Sequence, residues 1–200
     1  MNNELWQDLE FSIKNCKKCG LCNERKNAVV GTGKRDSSLL FIGEAPGEDE
    51  DKSGEPFVGK AGKLLTKIFQ SVSLEREDVY ITNIVKCRPP GNRTPNQDEM
   101  LVCYQYLEAQ IALINPKLIV TIGTLASKYL LSDKIPQNAM ISKIRGKLFN
   151  LDGGIQLIPI FHPSFLLRNT ATSEGSPKWL TWQDMKNIKR EYDRIENESF

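Results

Sequence analysis

Three of the five cysteines crowd into Cys16-Lys-Lys-Cys19-Gly-Leu-Cys22, and the other two, Cys87 and Cys103, follow much later. Two intervening residues let the sulfurs of Cys16 and Cys19 face one metal centre. With Cys87 and Cys103 they make four thiolates, a set that suits a structural zinc or a 4Fe-4S cluster, and spacing does not separate the two. Cys22 is then spare. An odd, clustered set argues against a secreted disulfide framework and for ligation in a reducing compartment. The plain alternative is that Cys103 is a small buried apolar residue on a helix and Cys87 is incidental.

A second set of reactive types lies in Gly43–Gly59, GEAPGEDEDKSGEPFVG. Six acids stand between Glu44 and Glu55 against one lysine, Lys52, with Phe57 set into the far end. On its own this is either a solvated surface loop or a ligand loop. Glu44, Glu48, Glu50 and Asp51 could hold Mg²⁺ for a phosphohydrolase or nuclease. Asn83 closes a β-branched run and could read an amide-like edge with one acceptor and two donors. His162 is the only histidine in the chain. Cations gather as Lys86, Arg88 and Arg93, as Lys143, Arg145 and Lys147, and as Arg168 and Lys178. Each could be a solvated charge, and together on one rim they would bind phosphates. Phe165-Leu166-Leu167 is apolar for a loop: either packing beneath the last helix or a wedge entering a base stack.

The elements that must position these residues alternate. Leu5, Trp6, Leu9 and Ile13 predict a helix over 4–13. Leu39–Ile42, Val79–Val85, Leu118–Gly123 and Gln156–Phe161 read as strands. Leu64, Leu65, Ile68, Phe69 and Val72 give one apolar helix face. Thr94-Pro95-Asn96-Gln97 reads as an N-cap, with Thr94 capping a helix that runs to about Ile114. A helix runs through Tyr129 and Leu130, and 132–147 reads as loop. Thr181 is expected to cap a last helix with Met185, Ile188, Tyr192 and Ile195 inward. Strand–helix alternation predicts an α/β fold with a parallel sheet covered on both faces. The strands end at Gly43-Glu44, Asn83, Gly123 and His162, so parallel strands would bring Glu44, Asn83 and His162 to one rim.

Composition sets bounds. A chain of 200 residues allows one domain, and 40% hydrophobic with 26% charged residues is ordinary for a globular protein. A net charge of +2 is too small to argue by itself for a nucleic-acid partner. The apolar runs are shorter than a membrane span, and MNNELWQDLE is unlike a signal peptide. The expected compartment is the cytoplasm.

GEAPGEDEDKSGEPFVGKAGKLL, YITNIVKCRPPGNR, the RGK of 145–147 and HPSFLLRN occur in this order from about Cys16 to the final helix. Jointly they closely resemble the family 4 uracil-DNA glycosylases, iron–sulfur enzymes of many bacteria and archaea. The resemblance implies a three-layer α/β/α sandwich with a four-stranded parallel central sheet, in one domain over 1–200. An N-terminal Cys-containing segment, about 1–37, would close the cluster site. It implies one structural 4Fe-4S cluster on Cys16, Cys19, Cys87 and Cys103, with Cys22 outside the ligand set. It implies hydrolysis of the N-glycosidic bond of deoxyuridine in DNA, carried by Glu44, Asn83 and His162. Gly43, Glu44 and Ala45 would contact uracil, Phe57 would stack on it, Asn83 would read its polar edge and His162 would donate to O2. Glu50 would lie against C5 and discourage a thymine methyl. Lys86, Arg88, Arg93, Lys143 and Arg168 would contact DNA, and Leu166 or Leu167 would fill the gap left by the rotated nucleotide. The implied partners are uracil-containing DNA and downstream abasic-site repair enzymes, with a monomer and no membrane. Pro136–Lys143 is longer than in some relatives. A catalytically inert iron–sulfur nucleic-acid-binding module remains the non-enzymatic alternative.

Overall fold

The run Leu39-Leu40-Phe41-Ile42 has no polar break, and a strand of that kind needs cover on both faces. In the computed structural model, which describes residues 2–198, all of its residues are buried; Met1, Ser199 and Phe200 of the expected 1–200 domain lie outside the described residues. The chain opens with helix α1 (Asn2–Lys14), passes the cysteine turn and a short strand β1 (Thr32–Gly33), and enters β2 (Leu39–Gly43). Helices α2 (Glu48–Ser53) and α3 (Lys60–Gln70) lead to β3 (Tyr80–Asn83). Then come α4 (Gln97–Ile114), β4 (Leu118–Ile122), α5 (Thr124–Leu130), α6 (Ile141–Ile144), β5 (Phe149–Asn150), β6 (Gln156–Ile160), α7 (Pro163–Arg168) and α8 (Pro177–Glu198).

The sheet order is β1-β3-β2-β4-β6-β5. The central four strands are parallel, as expected. The sheet has six strands rather than four, because β1 and β5 add antiparallel edges of two residues each. Pairs that short carry no alternation to read. Strand alternation sorts the core into two layers. Leu40 and Ile42 face α1, α4 and α5 with Ile119 and Leu157. Leu39 and Phe41 face α3 and α8 with Val120 and Ile160. Fully buried Leu65 and Phe69 of α3 and Met185 and Ile188 of α8 each stabilise the fold by about 1.5–3 kcal/mol through burial. Among the described residues no helix is long and apolar enough to cross a membrane.

Several expected boundaries move for local reasons. The strand read as Val79–Val85 ends at Asn83, because the amides of Ile84 and Val85 turn to the carbonyls of Gly43 and Glu44 at 2.9 and 3.2 Å. Asn96, not Thr94, caps α4. Its Oδ1 accepts from the Glu99 amide at 2.8 Å, and Glu99 accepts back from the Asn96 amide at 2.9 Å. The last helix starts a turn before Thr181, whose hydroxyl donates to the Pro177 carbonyl at 2.8 Å from inside the helix. Helices α2, α6 and α7 lie in stretches read as loop.

Connections from β2 to β3 and onward to β4 leave on opposite sides of β2, which makes a switch point at the carboxyl ends of the strands. Gly43 and Asn83 are register partners there.

Candidate active site

At that switch point a cleft of about 780 Å³ opens, lined by Glu44, Ala45, Glu50, Phe57, Asn83 and His162 among others. The three residues expected on one rim are therefore together. Gly43 lies directly against the Asn83 amide and the Phe57 ring. A Cβ there would run into the Asn83 amide and the Phe57 ring, so only glycine allows this close approach.

Asn83 is 1% exposed, and its Oδ1 has no hydrogen-bond partner among the described residues. Leaving a buried acceptor unmade costs about 1–3 kcal/mol, so it reads as a place held for a donor from a ligand. His162 caps α7. Its Nδ1 accepts from the Ser164 amide at 3.1 Å and lies 2.8 Å from the Ser164 hydroxyl. A ring nitrogen that accepts a backbone N–H carries no proton, so Nε2 is the donor. Burial pushes the imidazole down to about 4, with Glu50 opposing and Arg168 adding to the shift. The ring is thus a neutral donor at pH 7. Glu44 is half-buried; desolvation raises its pKa above the ordinary value, and a hydrogen bond from Thr94 partly opposes this.

Phe57 sits in the left-handed region at φ 55°, a strained place for an aromatic residue. Both sides of its turn are held. Arg76 donates to the carbonyls of Pro56 at 2.7 Å and Phe57 at 3.2 Å. Glu50 accepts from the amides of Val58 and Gly59, each at 2.9 Å, and of Gly47 at 3.1 Å. A Cβ on Gly62 would collide with the Phe57 carbonyl. The ring centroid lies 6.1 Å from that of His162. Arg76, Gly62 and Thr94 are contributors the sequence reading missed. One arginine in a charged turn carries no signal, and Thr94 was assigned to capping.

The acids of the loop diverge. Glu50 is taken up by three amides, Asp51 accepts from the amides of Lys26 and Asn27 at 2.9 and 3.3 Å, and Glu48 pairs with Lys52 and Arg88. That geometry does not assemble the Mg²⁺ site considered above.

The cations divide as well. Lys86 was expected to contact DNA, but it is 1% exposed and its ammonium is enclosed by Thr82, Asn83 and Gln110. Arg145 forks onto buried Asp184 and holds α8, so it is not a free phosphate ligand either. Arg88 bonds Asn92 at 2.7 Å, Arg93 forks onto Glu99, and Arg93 and Arg168 line the cleft. Lys143 is exposed on α6, next to cleft-lining Ile141. Leu166 is 1% exposed and belongs to the core; Leu167 is 44% exposed, which leaves it alone as the candidate wedge.

Cys16, Cys19, Cys22, Cys87 and Cys103 line one small cavity with Ile13, Leu21 and Tyr106, and none is in a disulfide. Arg25 donates to Cys87 Sγ at 3.0 Å, the Lys86 amide to Cys103 Sγ at 3.3 Å and the Lys18 amide to Cys16 Sγ at 3.5 Å. Donors aimed at sulfur favour thiolate ligands. Among the described residues no group of three or more His, Cys, Asp or Glu forms a site for a single metal ion.

A family model described as the uracil DNA glycosylase superfamily matches residues 30–186. The chain is 48% identical to a type-4 uracil-DNA glycosylase of Thermotoga maritima, over 83% of this chain and 85% of the relative. It is 42% identical to the type-4 enzyme of Archaeoglobus fulgidus, over 82% and 84%. A type-5 uracil-DNA glycosylase of Pyrobaculum aerophilum is 29% identical over 69% and 66%.

Proposed function

This chain belongs to the type-4 family of the uracil DNA glycosylase superfamily, and from that membership we propose that it hydrolyses the N-glycosidic bond of deoxyuridine in DNA, releasing uracil and leaving an abasic site. The observation that carries the reading is the partnerless Asn83 oxygen, buried in the same cleft as Glu44 and His162. Uracil offers an N3–H donor beside the O4 acceptor, which is what a fixed amide needs. Cytosine would set a bare N3 against Asn83 Oδ1 and leave both unpaired, and a site of buried polar groups rejects that strongly.

The target atom is hidden in a duplex, so the nucleotide rotates out, at a cost of a few kcal/mol. Arg88, Arg93, Lys143 and Arg168 contact phosphates around the cleft, and Leu167 fills the vacated stack. Phe57 stacks on the base, with Gly43 and Ala45 at its edge and Glu50 toward C5. The bond between N1 and C1′ breaks with its electron pair leaving on uracil. Charge grows on O2, where neutral Nε2–H of His162 donates more strongly than in the ground state. The Glu44 carboxylate faces the cationic sugar and the incoming water. Water oxygen bonds to C1′, and its lost proton balances the uracil anion.

Cys16, Cys19, Cys87 and Cys103 would hold a 4Fe-4S cluster, with Cys22 spare. Held by those residues, a cluster would tie the N-terminal segment to the loop after β3 and to α4. The product, abasic DNA, requires a repair activity that acts on it next. The test is one oligonucleotide with a single uracil, incubated with the protein and then treated with alkali. Scission at the uracil alone, absent from the matched cytosine and thymine strands, is expected. An uncut uracil strand overturns the proposal.

A further inference from the structure

We infer that Lys86 is a positioning residue that aims the Asn83 amide into the cleft by pinning the peptide unit between Asn83 and Ile84. The inference rests on the reading of the cleft as a uracil site. Lys86 Nζ donates to the Asn83 carbonyl at 2.6 Å, to Thr82 Oγ1 at 2.8 Å and to Gln110 Oε1 at 2.6 Å. All three acceptors are neutral oxygens. No carboxylate is among those partners, and a fully buried amine is an expensive way to fill a core. An apolar side chain would pack there at lower cost, but it could not hold a carbonyl.

The peptide that Lys86 holds follows the residue that reads the base. Its carbonyl is taken by Lys86 and its N–H, that of Ile84, by the Gly43 carbonyl at 2.9 Å. With both sides bonded the peptide plane cannot rotate, and the Cα–Cβ direction of Asn83 is set by the main chain. That matters because Asn83 Oδ1 has no partner among the described residues to fix the amide from its own end. The cage is itself anchored. Thr82 Oγ1 and Gln110 Nε2 both donate to the Val30 carbonyl at 2.8 Å. The Lys86 backbone is tied on its other side, its amide to Cys103 Sγ and its carbonyl to the Val29 amide at 2.7 Å. One residue thus spans from the cysteine cavity to the base reader.

The experiment is a double-mutant cycle on single-turnover uracil release, with Lys86→Met, Asn83→Ala and the double variant. Methionine keeps the length and removes the donors. Lys86→Met is expected to slow release about tenfold or more in the wild-type background and less than about twofold in the Asn83→Ala background, because it acts through that amide. Affinity for a duplex with an abasic-site analogue and iron per chain should stay within about twofold of wild type, the tolerance expected for a change that does not touch those contacts. Equal slowing in both backgrounds, or affinity falling in step with rate, makes Lys86 merely structural and overturns the inference. Should Lys86→Met fail to fold, Thr82→Val keeps the strand shape while removing one acceptor of the cage. Its smaller loss must likewise vanish beside Asn83→Ala, and additivity there overturns the inference as well. A wild-type protein that releases no uracil sinks the functional reading before any variant is made, so the two failures are distinct.

Discussion

Asp184 and Asn83 are almost equally buried, at 2% and 1% exposure, yet they live in opposite conditions. Both oxygens of Asp184 are met by the Arg145 fork, one at 2.6 Å, and Arg145 also donates to the Leu180 carbonyl at 2.9 Å. Gly146 stands at φ 70° beside them, where a Cβ would strike Asp184. That cluster is complete and joins the end of α6 to α8. The cleft is incomplete: a buried acceptor without a donor among the described residues and a strained aromatic backbone. Polarity that is satisfied within the chain builds the fold; polarity left open is reserved for something that arrives.

The comparison predicts that the two regions fail differently. Arg145→Met leaves Asp184, whose carboxyl burial already lifts to about 6 against Arg145, without its partner, and should cost about 3–5 kcal/mol of stability at pH 7.5. Turnover per folded molecule should stay near wild type. Denaturant unfolding followed by an activity measurement checks this, and a loss below about 1 kcal/mol would show that the pair is dispensable. His162→Ala is the counterpart in the cleft. It should lower turnover by about 10²–10³-fold, the scale of a lost donor to a developing oxyanion. Stability should fall only by the lost cap of α7, about 1 kcal/mol. Since the imidazole stays neutral down to about pH 4, the wild-type rate between pH 5 and 8 should show no step from this residue. An equal loss in DNA affinity would recast His162 as a binding group.

The cleft was more legible in the sequence than its support. Glu44, Asn83 and His162 could be placed together because each follows a run apolar enough to be a buried parallel strand, and such strands end on one rim. The cysteines expected together do line one cavity, but Cys22, left out of that set, lines it with them. The burial of Lys86 was not, since it depends on a turn three residues after Asn83 that folds the side chain back beneath the strand. Leu166 and Leu167 were inseparable while α7 was read as loop, because only helical phase decides which faces inward. The acids of 48–51 looked like one group, but a six-residue helix turns them in different directions. Neither Arg76 nor Asp184 carries a local signal, because both act on segments distant in sequence.

Glu44 offers the smallest effect and the finest separation of the two regions. Its carboxyl is raised above its ordinary 4.5 by desolvation, so the folded chain holds that proton more tightly than the unfolded one. Below about pH 4.5 the group is protonated in both states and burial is not penalised. As the pH rises through the folded pKa, ionisation inside the cleft removes stability. Glu44→Gln should therefore raise the melting temperature at pH 7.5 and leave it unchanged near pH 4, while removing the acid limb of the rate profile. His162 titrates alike in both proteins, so it cancels from the difference. A gain in stability on deleting a carboxylate is the reverse of what Arg145→Met does to the completed pair. Identical melting of wild type and Glu44→Gln at pH 7.5 would mean that Thr94 already satisfies the carboxylate, and the open character of the cleft would then rest on Asn83 alone.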